Sequence, residues 1–292
     1  MFDRFESRYD LRGWLITRTG LHIGTGGSLA VVESDNPVIR DINAWPYIPG
    51  SSFKGALRSL IESIVRTLSP GDRQAPWTCD PLEREQWCIP PSRIQQWQGA
   101  VGDNRMTQAE LDANVWGESC AVCRLFGSPW LASKVKVADL YLHNGDNWQG
   151  RVEVRDGVAI DRDTETVSGG RKYDFEVVPR ETTFDLHLRI DNASAEELGL
   201  LFIGLREFTS GSAWIGGNTS RGLGQVRIEW DTFEVVEGRN GLLNYLKAGK
   251  GEVKATWEAR EALESEKVQT LLALLTAREG DNAQETAQSS DT

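Results

Sequence analysis

The residues best suited to chemistry in this chain are four cysteines and two glycine-bearing turns. Cys79, Cys88, Cys120 and Cys123 are the full cysteine complement, and four thiolates make a complete tetrahedral shell for Zn²⁺. Cys120 and Cys123 have the spacing of a zinc knuckle, while eight residues separate Cys79 from Cys88, looser than the usual two to four. Free cysteines in a packed insertion are the alternative. With all four positions taken by protein, no site remains for a reacting water, so such a zinc is structural.

The first glycine-bearing segment begins at Gly20 (GLHIG to Gly24), passes through an acidic loop (ESDNPVIRD, Glu33 to Asp41) and enters the string PYIPGSSFKGALR from Pro46 to Arg58. The second is WIGGNTSRGLGQ, from Trp214 to Gln225. Glycine lets a main chain approach a phosphate closely and adopt left-handed conformations that a Cβ disfavours. Gly216, Gly217, Gly222 and Gly224 surround Asn218, Ser220 and Arg221, and an arginine there offers forked donors to a phosphate. A plain glycine-rich hairpin connection is the bland alternative. Neither turn has the lysine and hydroxyl spacing of a P-loop, and GTGG at Gly24 lacks the full dinucleotide fingerprint, which disfavours a nucleotide-binding enzyme.

The elements that must position these residues follow from periodicity. Phe53, Leu57, Leu60, Ile61, Ile64 and Leu68 fall at helical spacing, predicting a helix over 51–68 with Lys54 and Arg58 one turn apart. Its first turn, with Ser51, Ser52 and Lys54, offers unpaired N–H groups and the positive end of the helix dipole to an anion; solvated basic residues on a capped amphipathic helix are the alternative. Strands are predicted at 11–18, 22–24, 134–142 and 183–190, the last with Phe184, Leu186, Leu188 and Ile190 on one face. Ser194 and Glu197 form a capping-box signature before a second helix through Phe208. A strand follows in which Val226, Ile228 and Trp230 alternate with polar residues. The order strand, helix, strands, helix, strand is compatible with a ferredoxin-like core of the RNA-recognition-motif kind. The expected fold is α+β, with the core in 1–68 and 128–235 and an insertion at 69–127 that holds the cysteines. A partly helical extension is expected over 236–278, and a disordered tail over 279–292.

A formal charge of −11 counts against indiscriminate polyanion binding. Residues 231–292 hold 12 acidic and 7 basic side chains, so nearly half the excess lies in the last fifth of the chain. Of the 32 basic residues 24 are arginine, the type suited to bidentate phosphate contacts and to stacking on bases. A local phosphate-binding groove fits this distribution better than a broadly basic surface. No stretch approaches the length of a membrane span, and the first ten residues have no apolar signal core. No membrane partner and a cytoplasmic location are expected.

In their order along the chain, GLHIG, DNPVIRD, YIPGSSFKGALR, CRLFG and GGNTSRGLGQV resemble the RAMP superfamily, and more narrowly the Cas seven group, the backbone subunits of type III CRISPR effector complexes. The matching motifs stretch from residue 20 to residue 228. The resemblance implies an RRM-like core with a thumb-like β-hairpin, here over 151–178, that wedges into the guide duplex; Ile160, Arg162, Arg171, Lys172 and Tyr173 would touch RNA there. It also implies that Asp35, in the loop before PVIRD, is the catalytic carboxylate. Asp35 would hold a hydrated Mg²⁺ or Mn²⁺ or help deprotonate the attacking 2′-hydroxyl; local backbone chemistry alone reads Asp-Asn-Pro as a turn.

The implied protein binds CRISPR guide RNA and cuts complementary target RNA, with other effector subunits and copies of itself as partners. Sequence specificity would then belong to base pairing rather than to the protein. Two other readings stay open: a non-catalytic scaffold of the same complex, and a guide-processing endoribonuclease that works without metal. The three histidines, His22, His143 and His187, are scattered, which gives a histidine acid–base pair little support.

Overall fold

The computed structural model describes residues 4–25, 35–68, 77–145, 148, 151–160, 167–253, 261 and 264–274. The expected contact residue Arg162 and the expected tail at 279–292 lie outside these residues.

One antiparallel sheet organises the chain. Strand β1 (Ser7–Thr17) lies between β5 (Thr183–Asp191) and β6 (Val226–Glu237), with β2 (Val135–Val137) outside β5 and the short β7 (Glu252–Val253) outside β6. Helix α1 (Gly50–Leu68) connects β1 towards β2, and α5 (Ala195–Ser210) connects β5 to β6. That is the split βαβ arrangement expected of a ferredoxin-like core: the two strands joined through each helix are separated by a third strand running the other way.

Alternation decides which side of the sheet is covered. Tyr9, Leu11 and Leu15 of β1, with Phe184, Leu186, Leu188 and Ile190 of β5, are buried, as their period-two spacing requires. Against them sit α1, which buries Phe53, Leu57, Ile61 and Val65, and α5, whose Phe208 ring lies 5.0 Å from that of Phe53. Burying each such side chain contributes about 1.5–3 kcal/mol. The capping box expected at the start of α5 is formed: Ser194 Oγ accepts from the Glu197 N–H, and Glu197 Oε2 accepts from the Ser194 N–H.

The sheet's other side is polar. Asp10 accepts from His187 at 2.8 Å and from Arg189 at 2.9 Å, and Asp191 from Arg8 at 2.8 Å and Lys136 at 2.7 Å. Burial opposes ionisation of both acids, yet the hydrogen bonds from these partners hold each carboxyl below its usual range.

Between α1 and β2 come α2 (Pro91–Gly102), α3 (Gln108–Glu118) and α4 (Ala121–Phe126). Helices α2 and α3 share a small core of Ile89, Ile94, Trp97 and Val115, while Val122, Leu125 and Phe126 of α4 join the main core. Lys134 ties this region to the sheet: its ammonium is paired with Glu197 at 2.7 Å, both side chains 4% exposed, and lies 4.7 Å from the Trp116 ring centroid. Strands β3 (Glu153–Ile160) and β4 (Val167–Val177) form a separate two-stranded hairpin.

Two sequence expectations are shortened. The strand expected over 22–24 is reduced to an isolated bridge at Gly24, with another at the neighbouring Leu21, and the strand expected over 134–142 is regular only to Val137. Beyond it the chain turns to pair Leu140 with Ile48 and Leu142 with Phe184, a tertiary pull that local spacing does not encode. Within the extension expected to be partly helical over 236–278, helices run over Gly238–Ala248 and 264–274, the latter burying Val268 and Leu271.

Candidate nucleic-acid interface and metal centre

The two glycine-bearing turns meet. Gly217 donates its N–H to the His22 carbonyl and Gly224 to that of Gly20, both at 2.8 Å. Glycine is required at this seam: a Cβ on Gly216, at φ +81°, would lie 2.4 Å from the His22 carbonyl oxygen, and one on Gly224, at φ +87°, would lie 2.2 Å from that of Ile215. The loop is closed at its base by a Trp214–Gln225 bridge, with Asn218 left-handed at φ 58° leading into a short 3₁₀ turn, Thr219–Arg221. Gly216, Gly217, Ser220 and Arg221 are exposed and Asn218 half-buried.

Strand β4 crosses behind this junction and touches each of its parts. Val178, just past the strand, exchanges backbone hydrogen bonds with Leu21 at 2.8 and 2.9 Å. The carbonyl of Glu176 accepts from His22 Nδ1 at 2.7 Å, and Leu223 of the loop shares a small apolar cluster with Phe175 and Val177. Arg221 donates to the Tyr173 hydroxyl at 2.6 Å. Arg171 and Lys172 lie on the same strand.

The acidic loop is held by that same strand. Asp35, which is exposed, donates its N–H to Asp174 Oδ1 at 2.7 Å, and the Asp174 N–H returns to Asp35 Oδ2 at 3.2 Å. Asn36 pairs with Phe175, and Glu176 accepts from the Val38 N–H at 3.0 Å and from Arg40 at 2.8 Å. Asp174 and Glu176 were not singled out from the sequence. Their signal is the alternation of β4, in which the two acids fall on one face while Phe175 and Val177 pack on the other. Asp41 closes the next turn, its carboxylate accepting from the N–H groups of Asn43 and Trp45.

A ladder of backbone bonds continues to α1: Ile39 N–H to the Ile23 carbonyl, Tyr47 N–H to Ile39, and Ile48 paired with Leu140. At the helix start Ser51 is exposed and Ser52 half-buried, while the Gly50 N–H donates to the Asp139 carboxylate at 2.8 Å. The positive end of the dipole thus already faces one acid of the same chain, the exposed Asp139.

The two basic residues of this helix have protein partners. Lys54 donates to Ser133 Oγ at 2.7 Å and the Val135 carbonyl at 3.0 Å, and burial lowers its pKa. Arg58 donates to Glu62 at 2.8 Å, to the Gly127 carbonyl at 3.0 Å and to Cys123 Sγ at 3.5 Å. Both side chains run into the protein rather than towards solvent.

Arg58 leads to the cysteines. The four sulfurs lie within 4.8 Å of one another, Cys79 and Cys123 at 3.6 Å. A tetrahedral ion with Zn–S bonds of about 2.3 Å holds its sulfurs roughly 3.8 Å apart, so the set fits such an ion with little movement. Cys120 caps α4, its sulfur accepting from the Cys123 N–H at 3.4 Å, the knuckle the two-residue spacing implied. Hydrogen bonds from Cys120 and Cys123 draw the Cys79 thiol down to about 7, and with Cys79 they draw Cys88 lower still, while Cys120 is pushed up. Four sulfurs gathered this closely, three of them buried, are a donor set that could hold a divalent cation as thiolates.

The sequence model of the RAMP superfamily matches residues 14–227, from β1 through the glycine and arginine loop into β6. The chain belongs to the RAMP superfamily.

Curated relatives of this RAMP protein share one name, "CRISPR system Cms endoribonuclease Csm3". That of Methanothermobacter thermautotrophicus is 27% identical over 256 residues, covering 85% of this chain and 93% of the relative. The Enterococcus italicus protein is 26% identical over 243 residues, covering 80% and 94%. The Methanocaldococcus jannaschii protein is 29% identical over 229 residues, covering 75% and 77%. No described helix of this RAMP protein is long and apolar enough to cross a membrane.

Proposed function

We propose that this protein is a guide-RNA-binding backbone subunit of a type III CRISPR ribonucleoprotein, and that it cuts complementary target RNA through Asp35 with a divalent metal ion. The observation that carries the proposal is the junction of Gly20–Gly24, the acidic loop, the base of β4 and the 216–224 loop, in a chain whose relatives are named CRISPR endoribonucleases.

The exposed backbone of Gly216 and Gly217, with Asn218, Ser220 and Arg221, supplies donors for a ribose-phosphate strand. Ser51 and Ser52 add hydroxyls at the start of α1, and Lys54 and Arg58 support that helix from behind, through Ser133, Gly127 and Cys123. The hairpin of β3 and β4, with Arg171 and Lys172 on β4 and Arg162 in the sequence between the two strands, acts as the thumb against the guide duplex. Cys79, Cys88, Cys120 and Cys123 hold a structural Zn²⁺ that fastens α4 to the 77–90 segment.

At the cleavage site Asp35 presents a carboxylate whose Oδ2 is already oriented by the Asp174 N–H. Its work is one of two kinds, holding a hydrated ion or accepting the proton of the attacking 2′-hydroxyl. Bound Mg²⁺ or Mn²⁺ supplies charge neutralisation at the scissile phosphate. Neighbouring subunits, copies of this chain included, would cover apolar side chains such as Ile42, 99% exposed, and Leu246, 69% exposed.

Asp35→Ala in the reconstituted ribonucleoprotein tests the proposal. Target cleavage is expected to vanish while guide RNA is retained, and EDTA is expected to stop the wild-type reaction. Unchanged cleavage would favour a scaffold whose acidic loop only shapes the groove. Processing of precursor RNA by the protein alone in EDTA would favour a guide-processing nuclease.

A further inference from the structure

Asp35 is referenced to a single residue of β4 in two ways. Its N–H donates to the Asp174 carboxylate, which fixes the backbone of the acidic loop, and its own Oδ2 accepts from the Asp174 N–H, which fixes the side-chain torsion. The first bond, at 2.7 Å to a carboxylate oxygen, is of the charge-assisted kind that is roughly twice as strong as a neutral one. The surrounding bonds repeat the same register: Asn36 Nδ2 reaches the Asp174 carbonyl, the Glu176 N–H reaches the Asn36 carbonyl at 3.0 Å, and Glu176 takes the Val38 N–H. Pro37 restricts the backbone of Asn36 to extended conformations, and Glu176 holds the chain on the far side of it, while the bonds to Asp35 itself come from residue 174.

We propose that Asp174 is the positioning residue of the cleavage site, setting where the Asp35 carboxylate stands relative to the RNA. The inference rests on the proposed role of Asp35 and deepens it. Its consequence is that the hairpin and the acid are one mechanical unit. The strand that bears Tyr173, bonded to Arg221 of the glycine loop, also bears the residue that aims Asp35, so the RNA-gripping loop and the cutting carboxylate share a single support. A displacement of about 1 Å in such a group can cost roughly a hundredfold in rate.

The test uses the assembled ribonucleoprotein with guide, under single-turnover conditions. Asp174→Ala removes the acceptor for the Asp35 N–H. It is expected to slow the cleavage step between about tenfold and a hundredfold, with guide retention, target affinity and melting temperature unchanged. Asp174→Asn keeps an oxygen acceptor, and its cleavage rate is expected to return to within about threefold of wild type, since an amide oxygen still accepts the bond.

A wild-type rate for Asp174→Ala overturns the inference. So does an Asp174→Asn rate as low as that of the alanine variant, which would make the charge rather than the hydrogen bond the operative feature. Loss of guide by Asp174→Ala would also overturn it, by making the residue structural. Wild-type cleavage by Asp35→Ala in the same assay would instead fail the underlying reading of the site, and the inference with it.

Discussion

Asp35 and Asp174, 139 residues apart in the chain, are joined by a reciprocal pair of hydrogen bonds in which each backbone N–H donates to the other's carboxylate. The relationship explains how an exposed loop without regular structure can hold a side chain in a defined place. Loops carry function when a rigid scaffold registers them, and here the scaffold is the base of β4, whose alternating Asp174 and Glu176 bind the acidic loop while Phe175 and Val177 pack with Leu223.

The seam between the two glycine turns should tolerate alanine unevenly. At Gly216 a Cβ meets the His22 carbonyl in addition to an unfavourable φ of +81°, whereas at Gly222, at φ +85°, no atom lies within 4 Å. Gly222→Ala is expected to cost about 1–2 kcal/mol from backbone strain alone, and Gly216→Ala more, with weaker RNA binding. Equal losses in chemical denaturation would contradict the steric account.

The buried pair of Lys134 and Glu197 predicts a large and non-additive effect. Lys134→Met leaves the Glu197 carboxylate buried opposite an apolar chain, a loss of about 3–5 kcal/mol. Combining it with Glu197→Gln should recover part of that loss, because no uncompensated charge remains. Additive destabilisation in a double-mutant cycle would refute the pairing.

Metal content tests the cysteine centre. Purified protein is expected to contain one equivalent of zinc, lost together with folded structure when Cys120 and Cys123 become serine. Arg58→Met, which removes the donor to Cys123 Sγ, should speed zinc loss to a chelator by about tenfold or more. Fully folded, zinc-free wild-type protein would contradict the assignment.

Acid should weaken the sheet's polar face. Asp10 and Asp191 have folded-state pKa values below their unfolded values, so their stabilisation is complete above the unfolded value, near pH 4, and is lost as pH falls through the folded one. Asp10→Asn is therefore expected to cost about 1–3 kcal/mol at neutral pH and nearly nothing in strong acid. A stability difference that persists unchanged to low pH would rule out this linkage.

The parts of this molecule written in local patterns were legible in the sequence. The apolar spacing of α1, the alternation of β5 and the Ser194–Glu197 box each specify an element without help from distant residues, and their order implies the sheet topology. The cysteines could be grouped because thiols have few other uses together. What stayed hidden depends on long-range placement. Lys54 and Arg58 read as surface cations beside a helix start, but the fold turns them onto Ser133 and the Cys123 sulfur, and it brings Asp139 to the Gly50 N–H. The roles of Asp174 and Glu176 stayed hidden for the same reason: alternation puts both on one face of β4, but an acid on a hairpin strand acquires meaning only when the strand's neighbour is known.

The most direct measurement is a structure of the assembled ribonucleoprotein with guide and an uncut target. A guide strand is expected to lie along the exposed Gly216–Arg221 loop and the Ser51–Ser52 turn, with a target phosphate beside the Asp35 carboxylate. RNA that passes over another face of the sheet, leaving Asp35 remote from any phosphate, would contradict it.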